Sequence, residues 1–180
     1  MIIQVAYVYD IKPARTPLTY RLLFRLVYLY NNHLSMCFII RPFNIDTDIP
    51  DTTVLTIELG YPTTEAQITQ RMKAIQEAPD YHTFVAVADH KVIGYIGINK
   101  QLAWELDGTY FKIQTLVVKQ EYRKEGVGAA LIQHTEAFAK AQGATYLLVN
   151  SGNRDERTNA HRFYQNQGFE PKSTGFKKML

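Results

Sequence analysis

The residues most able to do chemistry lie where a strand-like segment leads directly into a helix-like segment. This stretch reads LVVKQEYRKEGVGAAL, from Leu116 to Leu131. Gly126 and Gly128 remove Cβ atoms at points where a ligand must approach the backbone closely. The backbone N–H groups of such a turn converge where the helix dipole is positive. The stretch therefore predicts a binding site for an anion, most commonly a phosphate.

The spacing of this turn excludes two common phosphate-binding motifs. Arg123, Gly126 and Gly128 give the pattern Arg-x-x-Gly-x-Gly. It is not a Walker A loop, because no Gly-Lys-Ser/Thr follows, and it is not the dinucleotide fingerprint, because the third glycine position is Leu131. A helix-opening Gly-x-Gly is weak evidence alone, since close helix packing also explains it.

A second polar and aromatic segment follows the next predicted strand. It reads NAHRFYQNQGF, from Asn159 to Phe169, and Asn159 comes 33 residues after Gly126. Together, the two segments resemble the GNAT family of N-acetyltransferases. That family combines Gln/Arg-x-x-Gly-x-Gly/Ala with a later Asn-x-x-x-x-Tyr-x-x-x-Gly-Phe, and the resemblance covers about Cys37 to Leu180.

The resemblance implies acetyl-CoA as co-substrate, without a metal, and gives roles to both segments. The pantetheine arm would pair with the backbone of Leu116, Val117 and Val118, in a strand whose bulge points an N–H at the thioester oxygen. Asn159 would hydrogen-bond to the same arm, and Tyr164 would lie near the sulfur. The pyrophosphate would bind backbone N–H groups of the turn: Arg123, Lys124, Glu125, Gly126, Val127, Gly128 and Ala129.

The reaction implied by the resemblance is direct attack of a neutral amine on the thioester carbonyl. Tyr164 is the candidate general acid, because a phenol of pKa about 10 can protonate a thiolate at a cost of about 2 kcal/mol. The alternative is that it only packs beside Phe163. An alkyl amine with pKa near 10.4 needs a base. Glu58, Glu105 and Asp107 are candidates, although each also fits a solvated surface carboxylate.

The resemblance leaves the acceptor open. It implies a primary amine of a small molecule or of a protein, and a homodimer is a possible assembly. A non-catalytic acyl-CoA-binding or sensor module on the same fold is the alternative function. His82 and His90 have no partner at metal-ligand spacing, so no metal site is expected.

The elements that position these residues alternate between short strands and helices from Cys37 onward. In Tyr110–Val118, Phe111, Ile113, Thr115 and Val117 alternate with Lys112 and Gln114, which predicts a long strand. Ala144–Val149 is an apolar run typical of a strand buried on both faces. With the resemblance, this predicts an α/β (α+β) GNAT fold. The central sheet would be mixed but mostly antiparallel, with six to seven strands, about four flanking helices, and splayed parallel strands at the acetyl-CoA site. The last strands would be 169–171 and 175–180.

The first 36 residues differ from the rest and are interpreted as an N-terminal extension to an acetyltransferase domain at 37–180. They hold four basic residues against Asp10, so the net charge of +3 belongs to them, and residues 37–180 hold 16 basic and 16 acidic residues. The apolar stretch 18–30 is too short and too charged to span a bilayer. It could be an amphipathic surface or targeting helix, an element packed on the domain, or sequence upstream of a native start at Met36, which we favour.

The neutral main domain excludes bulk electrostatic attraction to nucleic acid. Its one cysteine, Cys37, cannot form an internal disulfide and is typical of a reducing compartment, so a cytoplasmic location is expected. We expect Cys37 to be a buried strand residue.

Overall fold

The computed structural model describes residues 36–152, 158–173 and 175–179. In this part of the chain, five strands form one mixed sheet: β1 (Ile39–Pro42), β2 (Tyr81–Ala88), β3 (Lys91–Leu102), β4 (Thr109–Val118) and β5 (Ala144–Val149). The helices are α1 (Ile49–Glu58), α2 (Glu65–Glu77), α3 (Val127–Ala141) and α4 (Thr158–Asn166). A single 3-10 turn, Gln120–Tyr122, follows β4.

The strands lie in the order β1-β2-β3-β4-β5, and only the last pair is parallel. The β4–β5 pairing runs from Thr109↔Ala144 to Ile113↔Val149, while β4 continues to Val118. Within the described residues, the second half of β4 therefore has no neighbouring strand on its β5 side. The expected splayed parallel pair, with α3 as its crossover, is confirmed.

Two hydrophobic layers hold the helices on opposite faces of the sheet. On one face, α1 and α2 bury Leu55, Ile68 and Met72 in a cluster that includes Val117 of β4. On the other face, Phe138 of α3 makes edge contacts with sheet aromatics, among them Phe111 at 5.7 Å between ring centroids. These two faces are called the α1/α2 face and the α3 face.

Short-range signals set the helix ends. Thr64 caps α2, because its hydroxyl accepts the Gln67 N–H while the Gln67 side chain accepts the Thr64 N–H. Gly143, with φ +74°, follows the end of α3 in a left-handed conformation that favours glycine.

A buried ion pair fixes the chain between β1 and α1. The Arg41 guanidinium donates to both carboxylate oxygens of Asp48, at 2.6 and 2.7 Å, and Asp48 is 2% exposed. The Asn44 N–H and the Thr47 hydroxyl also donate to this carboxylate. Burial raises the pKa of Asp48, but these hydrogen bonds outweigh it and the pKa is lowered overall.

The fold class is confirmed, but the expected six to seven strands are not: the described residues contain five. The segments 169–171 and 175–179, predicted as strands, are irregular and mostly exposed. Pro171 removes a backbone donor there, and Lys172, Lys177 and Lys178 favour solvent. None of the β5 residues is buried, and Thr145 and Tyr146 are exposed, so the expectation that both faces of this strand are buried is wrong.

The N-terminal predictions fare differently. Cys37 is exposed and precedes β1, so its expected burial in a strand is also wrong. Except for Met36, the predicted 1–36 extension lies outside the described residues. Its boundary stays a prediction.

A bulge in β4 rearranges the faces of that strand. Gly97 of β3 pairs with Thr115, but the next residue, Ile98, pairs with Ile113, so Gln114 is the extra residue. Phe111 and Ile113 lie on the α3 face, whereas Val117 packs on the α1/α2 face. The predicted long strand is confirmed, but the alternating residues do not share one face, because the bulge shifts the period by one residue.

Candidate active site

The turn between β4 and α3 presents a row of unpaired backbone donors. Lys124 (φ +70°) and Gly126 (φ +83°) are both left-handed, and α3 starts at Val127. In the described part of the chain, the backbone N–H groups from Lys124 to Ala129 have no hydrogen-bond acceptor, whereas the Ala130 N–H donates to the Gly126 carbonyl. We call residues 124–129 the N–H cradle. Such a cradle at a helix N-terminus binds anions.

Two basic side chains, Arg123 and Lys119, lie in the turn that leads from β4 to the N–H cradle. The Arg123 Nε donates to the Val118 carbonyl at 3.0 Å and so ties the turn to the end of β4. Lys119 Nζ lies 2.8 Å from the Glu121 carboxylate, and this hydrogen bond raises the pKa of Lys119. The exposed Arg123 directly precedes the unpaired N–H donors in the chain, and a basic side chain there suits a pyrophosphate.

Gly126 and Gly128 serve different purposes. An added Cβ at Gly126 would have no atom within 4 Å, so space does not require glycine there. The positive φ does, because side chains other than glycine rarely adopt it. An added Cβ at Gly128 would lie 3.2 Å from the Phe163 ring. Gly128 therefore lets α4 pack closely against the start of α3. The sequence did not reveal this contact, although Phe163 sits inside the second motif.

Tyr164 occupies an aromatic cluster in α4. Its ring is half-buried and makes edge contacts with Phe163 at 5.3 Å and Phe169 at 5.6 Å. A hydrogen bond of 2.9 Å between His161 Nε2 and the Gly152 carbonyl ties α4 to the segment after β5. Tyr164 also lines a groove of about 1140 Å³ along β5. Asn159 lies in the first turn of α4 and is exposed.

The proposed pantetheine strip is the unpaired part of β4. Leu116, Val117 and Val118 pair with β3 on one side only, and the bulge at Gln114 immediately precedes this segment. An extended ligand could add to the open edge through backbone hydrogen bonds. Their role in binding, like that of Asn159 and Tyr164, stays a prediction.

The three candidate carboxylates lie in two different parts of the structure. Glu58, at the end of α1, accepts the Gln120 N–H at 3.0 Å and so braces the turn after β4. Glu105 and Asp107 lie in the exposed loop before β4, whose first residue is about 17 Å from Gln114 along the strand. Burial, Tyr110 and Glu105 together raise the pKa of Tyr146, which places Glu105 near that ring.

The described residues contain no group of three or more His, Cys, Asp or Glu side chains that could hold a metal ion. None of their helices has the length and apolar character needed to cross a membrane.

Comparison with known proteins agrees with this geometry. Residues 52–169 match the model of the acetyltransferase (GNAT) family. A 104-residue segment is 32% identical to an aminoalkylphosphonate N-acetyltransferase of Salmonella typhimurium and covers 57% of this chain. The match spans only 65% of that relative's length.

Solved structures share the fold. A GNAT family acetyltransferase of Staphylococcus aureus is 30% identical, with a TM-score of 0.70, covering 81% of this chain and all of that one. Glucosamine-6-phosphate N-acetyltransferase of Arabidopsis thaliana is 18% identical, with a TM-score of 0.68. The match covers 80% of this chain and 99% of that one, and at this identity it shows a shared fold only. With its two motifs in contact on this fold, the chain belongs to the acetyltransferase (GNAT) family.

Proposed function

We propose that this protein transfers the acetyl group of acetyl-CoA to a primary amine of a small molecule or a protein. The observation that carries the proposal is the N–H cradle at the start of α3, which adjoins the open edge of β4. The cradle suits the pyrophosphate, and the edge suits an extended arm that ends at the bulge. Family membership supports the same co-substrate.

The chemistry needs three tasks from the chain. The amine nitrogen attacks the thioester carbonyl, so that a C–N bond forms, the C–S bond breaks and the sulfur leaves as a thiolate. A backbone N–H at the β4 bulge would stabilise the charge that develops on the carbonyl oxygen. Tyr164 would give its phenolic proton to the thiolate, and a base would take the proton lost by the amine.

Glu58 and Glu105 remain the proposed bases, and their surroundings differ. Glu58 lies next to the end of β4 through its bond to Gln120 and is exposed. Glu58 would act through a water molecule, because one of its carboxylate oxygens, Oε2, already accepts the Gln120 N–H. Glu105 would need its loop to fold toward the bulge. Because the Glu105 loop lies far from the bulge, whereas Glu58 lies next to the end of β4, we favour Glu58 as the base.

The acceptor is proposed at the level of a primary amine. The Salmonella relative acts, by its name, on aminoalkylphosphonates, and these are the first acceptors to test. We also propose a cytoplasmic location, supported by the lone cysteine, and a homodimer, which light scattering would test.

A pair of glycine variants tests the proposal. Gly126 and Gly143 flank α3, both have positive φ, and neither has an atom within 4 Å of an added Cβ. Gly126→Ala and Gly143→Ala should therefore both lose about 1–2 kcal/mol of stability from left-handed strain. Only Gly126→Ala should weaken acetyl-CoA binding in calorimetric titration, because only Gly126 belongs to the N–H cradle.

Turnover is measured in parallel by thiol release with a panel of primary amines. Equal acetyl-CoA affinity in the two glycine variants would remove the cradle as the binding site. Acetyl-CoA binding without thiol release from any amine would favour the non-catalytic acyl-CoA-binding module instead.

A further inference from the structure

The β4 bulge creates a polar strip on the α1/α2 face of the sheet. Phe111 and Ile113 lie on the α3 face, so Lys112 and Gln114 lie on the opposite face. After the bulge, Thr115 shares that face with Val117. Lys112, Gln114 and Thr115 are therefore neighbours on one surface, directly beside the segment to which the pantetheine arm is assigned. We call these three residues the β4 strip.

Gln114 is held in place by a second amide. Its Nε2 donates to Asn99 Oδ1 at 2.7 Å, and Asn99 is 5% exposed. Asn99 also pairs directly with Lys112 across β3 and β4. The amide pair fixes the bulge residue, and Asn99 lies between it and the lysine.

Thr115 adds a polar group that lacks a partner. Its Oγ1 is buried and has no hydrogen-bond partner among the described residues. The side chain lies over Gly97, where an added Cβ would be 2.9 Å from Thr115 Cγ2. A buried hydroxyl without a partner is unfavourable, and this one lies beside the bulge.

Lys112 supplies the only side-chain charge of the β4 strip. It is half-buried, and no carboxylate in the described part of the chain forms an ion pair with it. The adjacent surface is aromatic, since Tyr110 stacks on Tyr146 at 4.7 Å with an interplanar angle of 10°. A partly desolvated cation without a counter-ion favours an anionic ligand.

We propose that Lys112 binds an anionic group of the acceptor, so that the preferred acceptors are short primary amines carrying a phosphonate, phosphate or carboxylate. This rests on the proposed acetyl transfer, because the amine must reach the bulge. Lys112 lies two residues, about 7 Å, from Gln114. An acceptor with its amine at the bulge and an anion a few bonds away would therefore reach Lys112.

Matched acceptors and variants test the assignment. Aminoethylphosphonate and its uncharged diethyl ester share one skeleton, and β-alanine with β-alanine amide repeats the comparison for a carboxylate. In the wild type, kcat/KM should be about 10- to 100-fold higher for the anion than for its uncharged counterpart, as expected of a charge-assisted contact. Lys112→Gln should bring this ratio close to one, and Lys112→Arg should preserve most of it.

Lys100→Gln is the matched control. Lys100 is on the neighbouring strand but pairs with Phe111, and its Nζ is directed toward the Gln142 carbonyl at 3.5 Å. It therefore lies on the α3 face, and its removal should leave the ratio unchanged.

Three results would overturn the assignment. The first is a wild-type ratio near one, and the second is an unchanged ratio in Lys112→Gln. The third is a raised KM for acetyl-CoA without loss of the ratio, since Lys112 would then serve the co-substrate.

The proposed transfer itself fails separately, if no amine releases thiol. Calorimetric titration of aminoethylphosphonate into the wild type and Lys112→Gln still decides the anion site in that case. Binding that is lost in the variant supports the site, and equal binding refutes it.

Discussion

The contact between Gly128 and Phe163 joins the two sequence motifs, and a single methyl group can test it. In Gly128→Ala, the new Cβ would lie 3.2 Å from Phe163 Cζ, 3.4 Å from its Cε2 and 3.7 Å from Val118 Cγ2. The first distance is a few tenths of an ångström too short, so the Phe163 ring must move. Because Tyr164 follows it in the same helix, α4 would shift relative to the N–H cradle.

Two opposing terms set the size of the effect on stability. Overpacking costs about 1–3 kcal/mol, and the low end applies because the ring is half-buried and lies in a short helix. Alanine in place of glycine in a helix gains up to about 1 kcal/mol. The melting temperature should therefore change by less than about 4 °C. Acetyl-CoA affinity should fall by about tenfold, a change of about 1.4 kcal/mol.

A double-variant cycle identifies the cause. Calorimetric titration with acetyl-CoA compares Gly128→Ala, Phe163→Leu and the double variant. If the clash with the ring is responsible, Phe163→Leu should restore most of the lost affinity. If the double variant binds as weakly as Gly128→Ala, the methyl group itself obstructs the ligand. Unchanged affinity in Gly128→Ala would refute the reasoning about α4.

Three other changes have expected outcomes. Tyr164→Phe should lower kcat by about 100-fold while calorimetry shows unchanged acetyl-CoA affinity; full activity would make Tyr164 a packing residue. Arg41→Met should lower the stability measured by urea unfolding by about 2–3 kcal/mol, because the buried Asp48 carboxylate loses its partner. The value is reduced for the 33% exposure of Arg41. A loss below about 0.5 kcal/mol, as for a surface substitution, would contradict this. Burial lowers the pKa of His134 from 6.5, so the unfolded state binds more protons and stability should fall as pH drops below that value. His134→Gln should flatten the profile except for the part due to His82, whose pKa burial also lowers.

The sequence was most informative where a short motif reports the order of the elements. The glycine-containing turn that leads into α3 and the parallel β4–β5 pair were both anticipated, from local spacing and from the two motifs. Each depends on a few adjacent residues or on a pattern that the family shares. Spacing alone could not predict that Gly128 packs against Phe163, because that contact joins two helices that are far apart in the chain.

Side-chain partners across the sheet were not predictable for a similar reason. Glu58 was a candidate base by its place on a helix, but its bond to the Gln120 N–H depends on how α1 packs against the end of β4. The terminal strands failed because apolar residues near 169 and 176 suggested pairing, whereas Pro171 and the lysines favour an exposed segment.

The bulge explains why the co-substrate site is easier to infer than the acceptor site. The N–H cradle and the open edge of β4 at 116–118 would bind the co-substrate through backbone groups, so many side chains are compatible with these positions. The proposed acceptor site uses side chains, and the extra residue Gln114 sets which of them share a face. Without it, Thr115 and Val117 would share a face with Ile113 instead of with Gln114. A strict two-residue period would have put the lysine and the partnerless hydroxyl on opposite faces. The proposed acceptor site therefore depends on one inserted residue, whose effect is visible only in the register of β3 against β4.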